Sequence, residues 1–343
     1  MVKRDQEIFD YQGGALFSPA FFPVIYLIDG YQKSTSTKTG YPTPVASPGR
    51  VADQSGKMRM ADTNDTNKKI SIIISSFSGN EASTQKCIDS LESQERKPDE
   101  IIIVVDTEKE RVGFEQVIQP QSIPLRIVAT GKQGLVIARN KGIEESNGEL
   151  IAFIDDDAEA DSRWVSEIGD SFSSHPAVGM VGGRVIPRFQ GKPIPRSLFW
   201  IVGCTSDEPP TQRPIGCNMA FRREVFDKVG KFDENLVTKR KGMGISEETE
   251  LILRMKRDEP DSGIFFNPKI VVYHTVPGKR TKLKYILKRA FAEGGAKAYT
   301  TKKYGRDVES SYLKYYITHP GFLTIMVLFS LGLGYIKAVF ITR

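Results

Sequence analysis

The run Ile151-Ala152-Phe153-Ile154-Asp155-Asp156-Asp157 constrains this chain more than any other. A buried strand that delivers three carboxylates to one edge of a sheet is electrostatically costly unless something cationic answers them. Alternate residues of an extended chain point the same way, so Asp155 and Asp157 can share one target. Hard oxygen ligands in a sparse pair suit Mg2+ or Mn2+ carrying a diphosphate, which completes the coordination shell. A solvated acidic turn is the plainer alternative, and the surrounding sequence has to decide between them.

From Lys69 onward strands and helices alternate. Residues 70–77 are a β-branched, isoleucine-rich run of the kind buried on both faces, and Asn80 looks like the cap of a helix over residues 81–94. Residues 101–105 form a second strand ending at Asp106, Leu125–Ala129 a third, residues 134–146 a second helix and residues 150–154 a fourth strand. This alternation predicts an α/β fold with a doubly wound, mostly parallel sheet, which binds ligands beyond the carboxyl ends of its strands. Asp106 and the aspartate triplet both fall there. The second half reads as strands over residues 178–182, 215–221 and 270–273 and helices over Arg223–Val229 and residues 247–256. A basic helix over residues 281–301 follows.

Four regions are expected: a flexible extension over residues 1–67, a catalytic domain over 68–275, a basic helical region over 276–319 and a hydrophobic anchor over 320–343. The extension is punctuated by prolines, and its apolar stretch at 15–28 is short for a membrane span. Met58 and Met60 are candidate translation starts. The chain carries a net charge of +6, yet residues 276–319 alone hold eleven Lys and Arg against three acidic residues, so the rest is slightly acidic. Three scattered cysteines without a CxxC pair argue against a disulfide framework or zinc site and fit a reducing compartment. Cys87, on an apolar helix face, is read as a small core residue.

Gly131-Lys132-Gln133-Gly134 ahead of Ala138-Arg139-Asn140-Lys141-Gly142 puts a glycine-rich turn before a helix, and Arg139 could pair with a diphosphate or with the acidic triplet. Neither GxGxxG nor a P-loop is present, which weakens dehydrogenase and ATPase readings. These pieces, with Ile70 to Phe77, Ile102 to Asp106, Gly216-Cys217-Asn218, Val229-Gly230-Lys231-Phe232-Asp233-Glu234 and Ser246-Glu247-Glu248-Thr249-Glu250-Leu251, resemble the family-2 glycosyltransferases over roughly residues 69–276.

That resemblance implies a GT-A fold, a Rossmann-like nucleotide-binding half joined to an acceptor half. It implies inverting transfer of a sugar from a nucleotide-diphosphate sugar, UDP- or GDP-linked. Ser75, Phe77, Asp106, Arg139, Asp155, Asp156, Gly216 and Asn218 would then bind donor, and Asp155, Asp157 and His274 would hold the metal. The family usually has Asp after Glu in the motif that carries the catalytic base. Here the pair is Glu247-Glu248, which leaves the assignment open by one residue; Glu248 is the choice taken.

The basic region, followed by apolar residues 321–336 and 338–342, predicts membrane association with the catalytic domain on the cytoplasmic face. The apolar segment is long enough to span a bilayer, while Gly332 and Gly334 keep an interfacial anchor open. Lys279, Arg280 and Arg289 are candidates for an acceptor's lipid phosphate, the acceptor being a polyprenyl- or dolichyl-phosphate-linked saccharide in glycan or glycoprotein assembly. Another cell-surface polysaccharide is the alternative acceptor. A sugar nucleotidyltransferase would need a lysine-bearing glycine loop after the first strand, which is missing. A catalytically silent saccharide-binding protein would not need Asp155, Asp157 and Glu248. No nucleic-acid module accompanies the basic region.

Overall fold

Ile70, Ile72 and Ile74 alternate with Ser71 and Ile73, and all five are buried, so this strand is covered on both sides. In the computed structural model, which describes residues 50–52, 58–60, 68–77, 79–119, 122–207, 213–234, 247–305, 316, 319 and 321–341, it is the third strand of the chain. The apolar stretch at 15–28 lies outside the described residues.

The elements run β1 Arg50–Ala52, β2 Met58–Met60, β3 Ile70–Ser75, α1 Glu81–Glu92, β4 Glu100–Val105, α2 Glu108–Val117, β5 Leu125–Ala129, α3 Leu135–Glu145, β6 Leu150–Asp155, β7 Ala158–Ala160, α4 Trp164–Ser174 and β8 Val178–Phe189. After a 3-10 helix at Arg196–Val202 come β9 Asn218–Arg222, α5 Arg223–Val229, α6 Glu247–Asp258, β10 Gly263–Val276, α7 Leu283–Tyr304 and α8 Phe322–Ile341. β1 and β2 pair with each other, and the other eight strands form one sheet in the order β5-β4-β3-β6-β9-β8-β10-β7.

The first four of these strands are mutually parallel, so β3, β4 and β6 end on one edge. β9 runs antiparallel between β6 and β8, which splits the sheet into a nucleotide-type half and a second half. Ile72, Ile74 and Ile103 face α1, α2 and α4 in one core, which takes in Cys87, Ile88, Phe114 and Trp164. Ile73, Ile102, Val104 and Phe153 face α3, α5 and α6 in the other, with Val136, Phe226, Leu251 and Met255. Each fully buried Ile or Phe contributes about 1.5–3 kcal/mol relative to exposure, so the two-sided pattern fixes the register of the central strands.

Several details depart from the sequence reading. Asn80 makes no side-chain cap on α1; its amide turns to Asp156 instead. Helix α2, not foreseen, opens with a capping box in which Thr107 and Glu110 satisfy each other's backbone amides. Helix α4 was also missed, while β8 and β10 extend to 12 and 14 residues because their outer parts alternate buried and open positions. The apolar tail is one unbroken helix through Gly332 and Gly334.

A second ionic cluster ties α6 to α7. Glu250 is fully buried and accepts from Arg254 at 2.7 Å, from Lys303 at 2.8 Å and from Tyr304. Arg254 also donates to the carbonyls of Val229 and Lys231, so the end of α7, the middle of α6 and the turn after α5 share one hub.

Candidate active site

Because β6 ends beside β3, the aspartate triplet emerges next to the turn that follows Ser75, which pairs with Asp155 in the sheet. The three carboxylates diverge. Asp156 turns into the protein and accepts from Ser76 Oγ at 2.6 Å and Asn80 Nδ2 at 2.8 Å. Burial raises its pKa to about 6 against those two hydrogen bonds. Asp156 therefore holds the β3–α1 turn, which carries the exposed Phe77, and is not open to a donor as expected.

Asp155 and Asp157 face the other way, as the alternation predicts. Their oxygens and a ring nitrogen of His274 lie within 4.8 Å of one another. His274 comes from β10, which pairs with β7 so that His274 stands opposite Ala158. Its Nε2 is 3.1 Å from Asp157 Oδ1, and Nδ1 is 3.6 Å from Cys204 Sγ. Burial alone would lower the His274 pKa, but the contacts with Asp157 and Cys204 lift it to about 10. Burial likewise raises Asp157, yet the His274 hydrogen bond and Arg280, 3.7 Å away, bring it below the ordinary carboxylate value. Two carboxylates and an imidazole converging from β6 and β10 are a donor set that fits a divalent cation such as Mg2+ or Mn2+.

Arg139 takes up one of its two expected partners, the acidic triplet, and adds Glu247 to it. It is buried on α3 against the edge-to-face pair Phe153 and Phe232, its guanidinium carbon 5.9 and 5.8 Å from their ring centroids. It donates to Glu247 Oε1 at 2.5 Å, to the Gly216 carbonyl at 3.0 Å and, weakly, to Asp155 Oδ1 at 3.4 Å. Its donors thus join the acidic strand end, one of the two partners expected for it, to the start of α6. Gly216 is a glycine for the same reason: a Cβ there would stand 2.9 Å from the guanidinium.

Glu247 is consumed by that bridge. Glu248, next in the helix, is half-buried and has no ion pair among the described residues. Burial and the adjacent Glu247 charge push its pKa to about 7, with Arg213 and Arg139 opposing. Arg213 had no signal in the sequence; it donates to Thr249 Oγ1 at 2.6 Å at the start of the same helix.

Asp106 sits at the end of β4, where its carboxylate accepts from the Gly134 amide at 3.3 Å and burial raises its pKa. Asn218 is corrected. It is fully buried, accepts from Trp164 Nε1 at 2.8 Å and donates to the carbonyls of Arg184 and Ile270 at 2.9 and 3.0 Å. It cross-links α4, β8 and β10, both amide hydrogens are used, and full burial keeps its side chain out of any open cleft. Of the three basic candidates, Arg280 reaches the acidic edge, Lys279 is exposed in the same turn, and Arg289 lies on α7.

A parallel half that ends in paired aspartates, a histidine delivered from the second half and a carboxylate helix bridged to Asp155 by Arg139 are the arrangement of a sugar transferase of the GT-A class. Residues 71–230 match the Glycosyl transferase family 2 model, which covers most of the sheet and both ends of the aspartate-bearing strand. It is 28% identical over 262 residues to the glucosyl-dolichyl phosphate glucuronosyltransferase of Haloferax volcanii, covering 72% of this chain and 82% of that one. Glycosyltransferase AglE of the same organism is 27% identical over 177 residues, 49% of this chain and 57% of the relative. Among solved structures, the mannosyltransferase PcManGT from Pyrobaculum calidifontis in complex with GDP-Man and Mn2+ shares the fold, with a TM-score of 0.52 at 15% identity over 79% of this chain and 75% of that one.

Proposed function

We propose that the protein transfers a sugar, with inversion, from a UDP- or GDP-linked donor to a polyprenyl- or dolichyl-phosphate-linked acceptor at the cytoplasmic face of a membrane. Residues 68–275 are the catalytic domain in this reading, 276–319 the membrane-proximal region and 320–343 the anchor. The acceptor class draws on the Haloferax relative, whose name specifies a dolichyl phosphate sugar, and the donor class on the GDP-Man complex of the Pyrobaculum enzyme.

One observation carries the assignment of chemistry: Arg139 occupies Glu247 and leaves Glu248 uncommitted, with a proton affinity near neutrality. An acceptor hydroxyl is a poor nucleophile until a base takes its proton. Glu248 accepts that proton as the oxygen attacks the anomeric carbon and the bond to the diphosphate breaks. Asp155, Asp157 and His274 would hold Mg2+ or Mn2+, which when bound offsets the charge on the departing diphosphate. Asp106 receives the nucleoside, beside the turn that Asp156 steadies.

The test is Glu248→Gln beside Glu247→Gln, assayed for transfer and for donor binding. Glu248→Gln is expected to keep donor affinity and to lose roughly 10²–10⁴-fold in turnover. Glu247→Gln, which breaks the arginine bridge, should lose stability as well. Near-normal turnover in Glu248→Gln removes the base assignment. Equal transfer to water-soluble and lipid-linked acceptors removes the acceptor class.

A further inference from the structure

Helix α8 is the one segment among the described residues long and apolar enough to cross a bilayer: Phe322–Phe340 has a mean hydropathy of 1.9. At about 1.5 Å per residue it also has the length to do so. Its packing says otherwise. Thr324 and Val327 are buried, and Leu323, Leu328 and Leu331 rest on the core that holds Leu198, Ile201, Ile286 and Ala290. Further along, Ser330 Oγ donates to the Leu287 carbonyl of α7 at 2.8 Å, and Lys337 Nζ stands 5.6 Å from the centre of the Phe291 ring. Glycines let the two helices meet backbone to backbone: a Cβ on Gly294 would collide with the Leu331 carbonyl, and one on Gly334 with the Phe291 carbonyl. Every turn from 323 to 337 therefore has a residue set against the catalytic domain or α7.

The opposite face is apolar and open. Phe322, Ile325, Phe329, Leu333, Ile336 and Phe340 follow one another at three- and four-residue steps, and the three phenylalanines are 82%, 59% and 68% exposed. A single helical stripe of this kind needs one apolar partner along its whole length. The middle of α8, around Leu331, is also where α7 touches it, and there α7 carries Lys288, Arg289 and the buried Glu293. Were α8 to span, those charges would ride to the bilayer centre, at about 2.5–3.5 kcal/mol for each Lys or Arg. Exposed Lys279, Lys282, Lys284 and Lys288 on the preceding turn and on α7 are instead suited to phosphate headgroups.

We propose that α8 lies in the plane of the membrane, glycine-locked to α7, with its phenylalanine stripe in one leaflet and the α7 lysines on anionic headgroups. The protein is then a one-leaflet enzyme whose catalytic domain is held flat on the lipid. The proposal rests on the membrane reading above and adds its geometry.

The experiment uses the full chain reconstituted into phosphatidylcholine vesicles with and without phosphatidylglycerol. Single cysteines at Phe322, Phe329 and Phe340 carry a fluorophore, read by lipid nitroxide quenchers at known depths; the native Cys87, Cys204 and Cys217 are buried and stay unlabelled. All three labels should report the same shallow depth, and Phe329→Glu with Phe340→Glu should weaken vesicle binding roughly 100-fold or more while leaving donor hydrolysis intact. A label at 329 near the bilayer centre with 322 and 340 near its surfaces would overturn the in-plane geometry and keep the membrane reading. Failure of the unmutated protein to float with either vesicle would overturn both.

Discussion

Asp157, just past the end of β6, and Glu248, at the start of α6, sit in opposite electrostatic settings. At the strand end, Asp157 meets His274 and Arg280 and is held below its ordinary pKa, so it stays ionised and ready for a cation. At the helix start, Glu248 sits beside Glu247, whose charge is already matched by Arg139, and is held up near 7. Asp157 is held to its negative charge, whereas Glu248 is held ready to pick up a proton. Environments that drive carboxylates apart in this way separate metal-holding from acid–base duty, although all the groups are simple Asp and Glu.

The comparison depends first on Arg139, which serves both regions. Arg139→Met should destabilise the protein by about 3–5 kcal/mol, because Glu247 is left buried without its counter-charge. Urea unfolding measures this, and a wild-type midpoint would break the idea that one arginine couples the two carboxylate groups. Next comes the strand end. Asp157→Asn should weaken Mn2+ binding in the presence of UDP or GDP by roughly 100-fold, read by titration calorimetry, since outer partners alone change metal affinity by about 10–100-fold. Chelation of the wild type with EDTA should stop transfer, and Mn2+ or Mg2+ should restore it.

The smallest effect sharpens the helix side. With Glu248 as base, kcat/KM should rise with pH to a plateau above an inflection near 7, and the inflection should vanish in the residual activity of Glu248→Gln. Stability should move the other way. The unfolded carboxyl loses its proton near 4.5 while the folded one keeps it to about 7, so stability falls as pH climbs through that window. Allowing for partial exposure, Glu248→Gln should be about 1 kcal/mol more stable than wild type at pH 7.5. An unchanged urea midpoint in the mutant would argue that Glu248 is ordinarily ionised.

Much of this was legible in the sequence because it depends on short-range pattern. The isoleucine-rich run at β3, the aspartates at the end of β6 and the spacing of Leu251, Ile252 and Met255 in α6 announce themselves through period and chemistry. Helix α2 was legible too, through Thr107 and Glu110 three residues apart, but its polar surface hid it from a search for apolar runs. What could not be read was the direction of each polar side chain. Asp155, Asp156 and Asp157 are alike in the sequence, yet the middle one is taken by Ser76 and Asn80 from a turn 80 and 76 residues away. Asn218 was expected to meet a ligand and is instead buried among partners on remote elements, while Arg139, for which a diphosphate and the acidic triplet were both open, turns to Asp155 and Glu247. The availability of a polar atom is a property of the whole fold, so a motif identifies candidates without telling which are already engaged.

The hub at Glu250 has a mechanical consequence. Its carboxylate clamps Lys303 and Tyr304 at the far end of α7 to Arg254 on the helix that begins with Glu247 and Glu248. A lever gripped at one end transmits tilt to the other. Rocking of α7 would reach Glu248 as a rotation of its own helix, so under the proposed function the seating of the molecule and the aim of its base become a single adjustment.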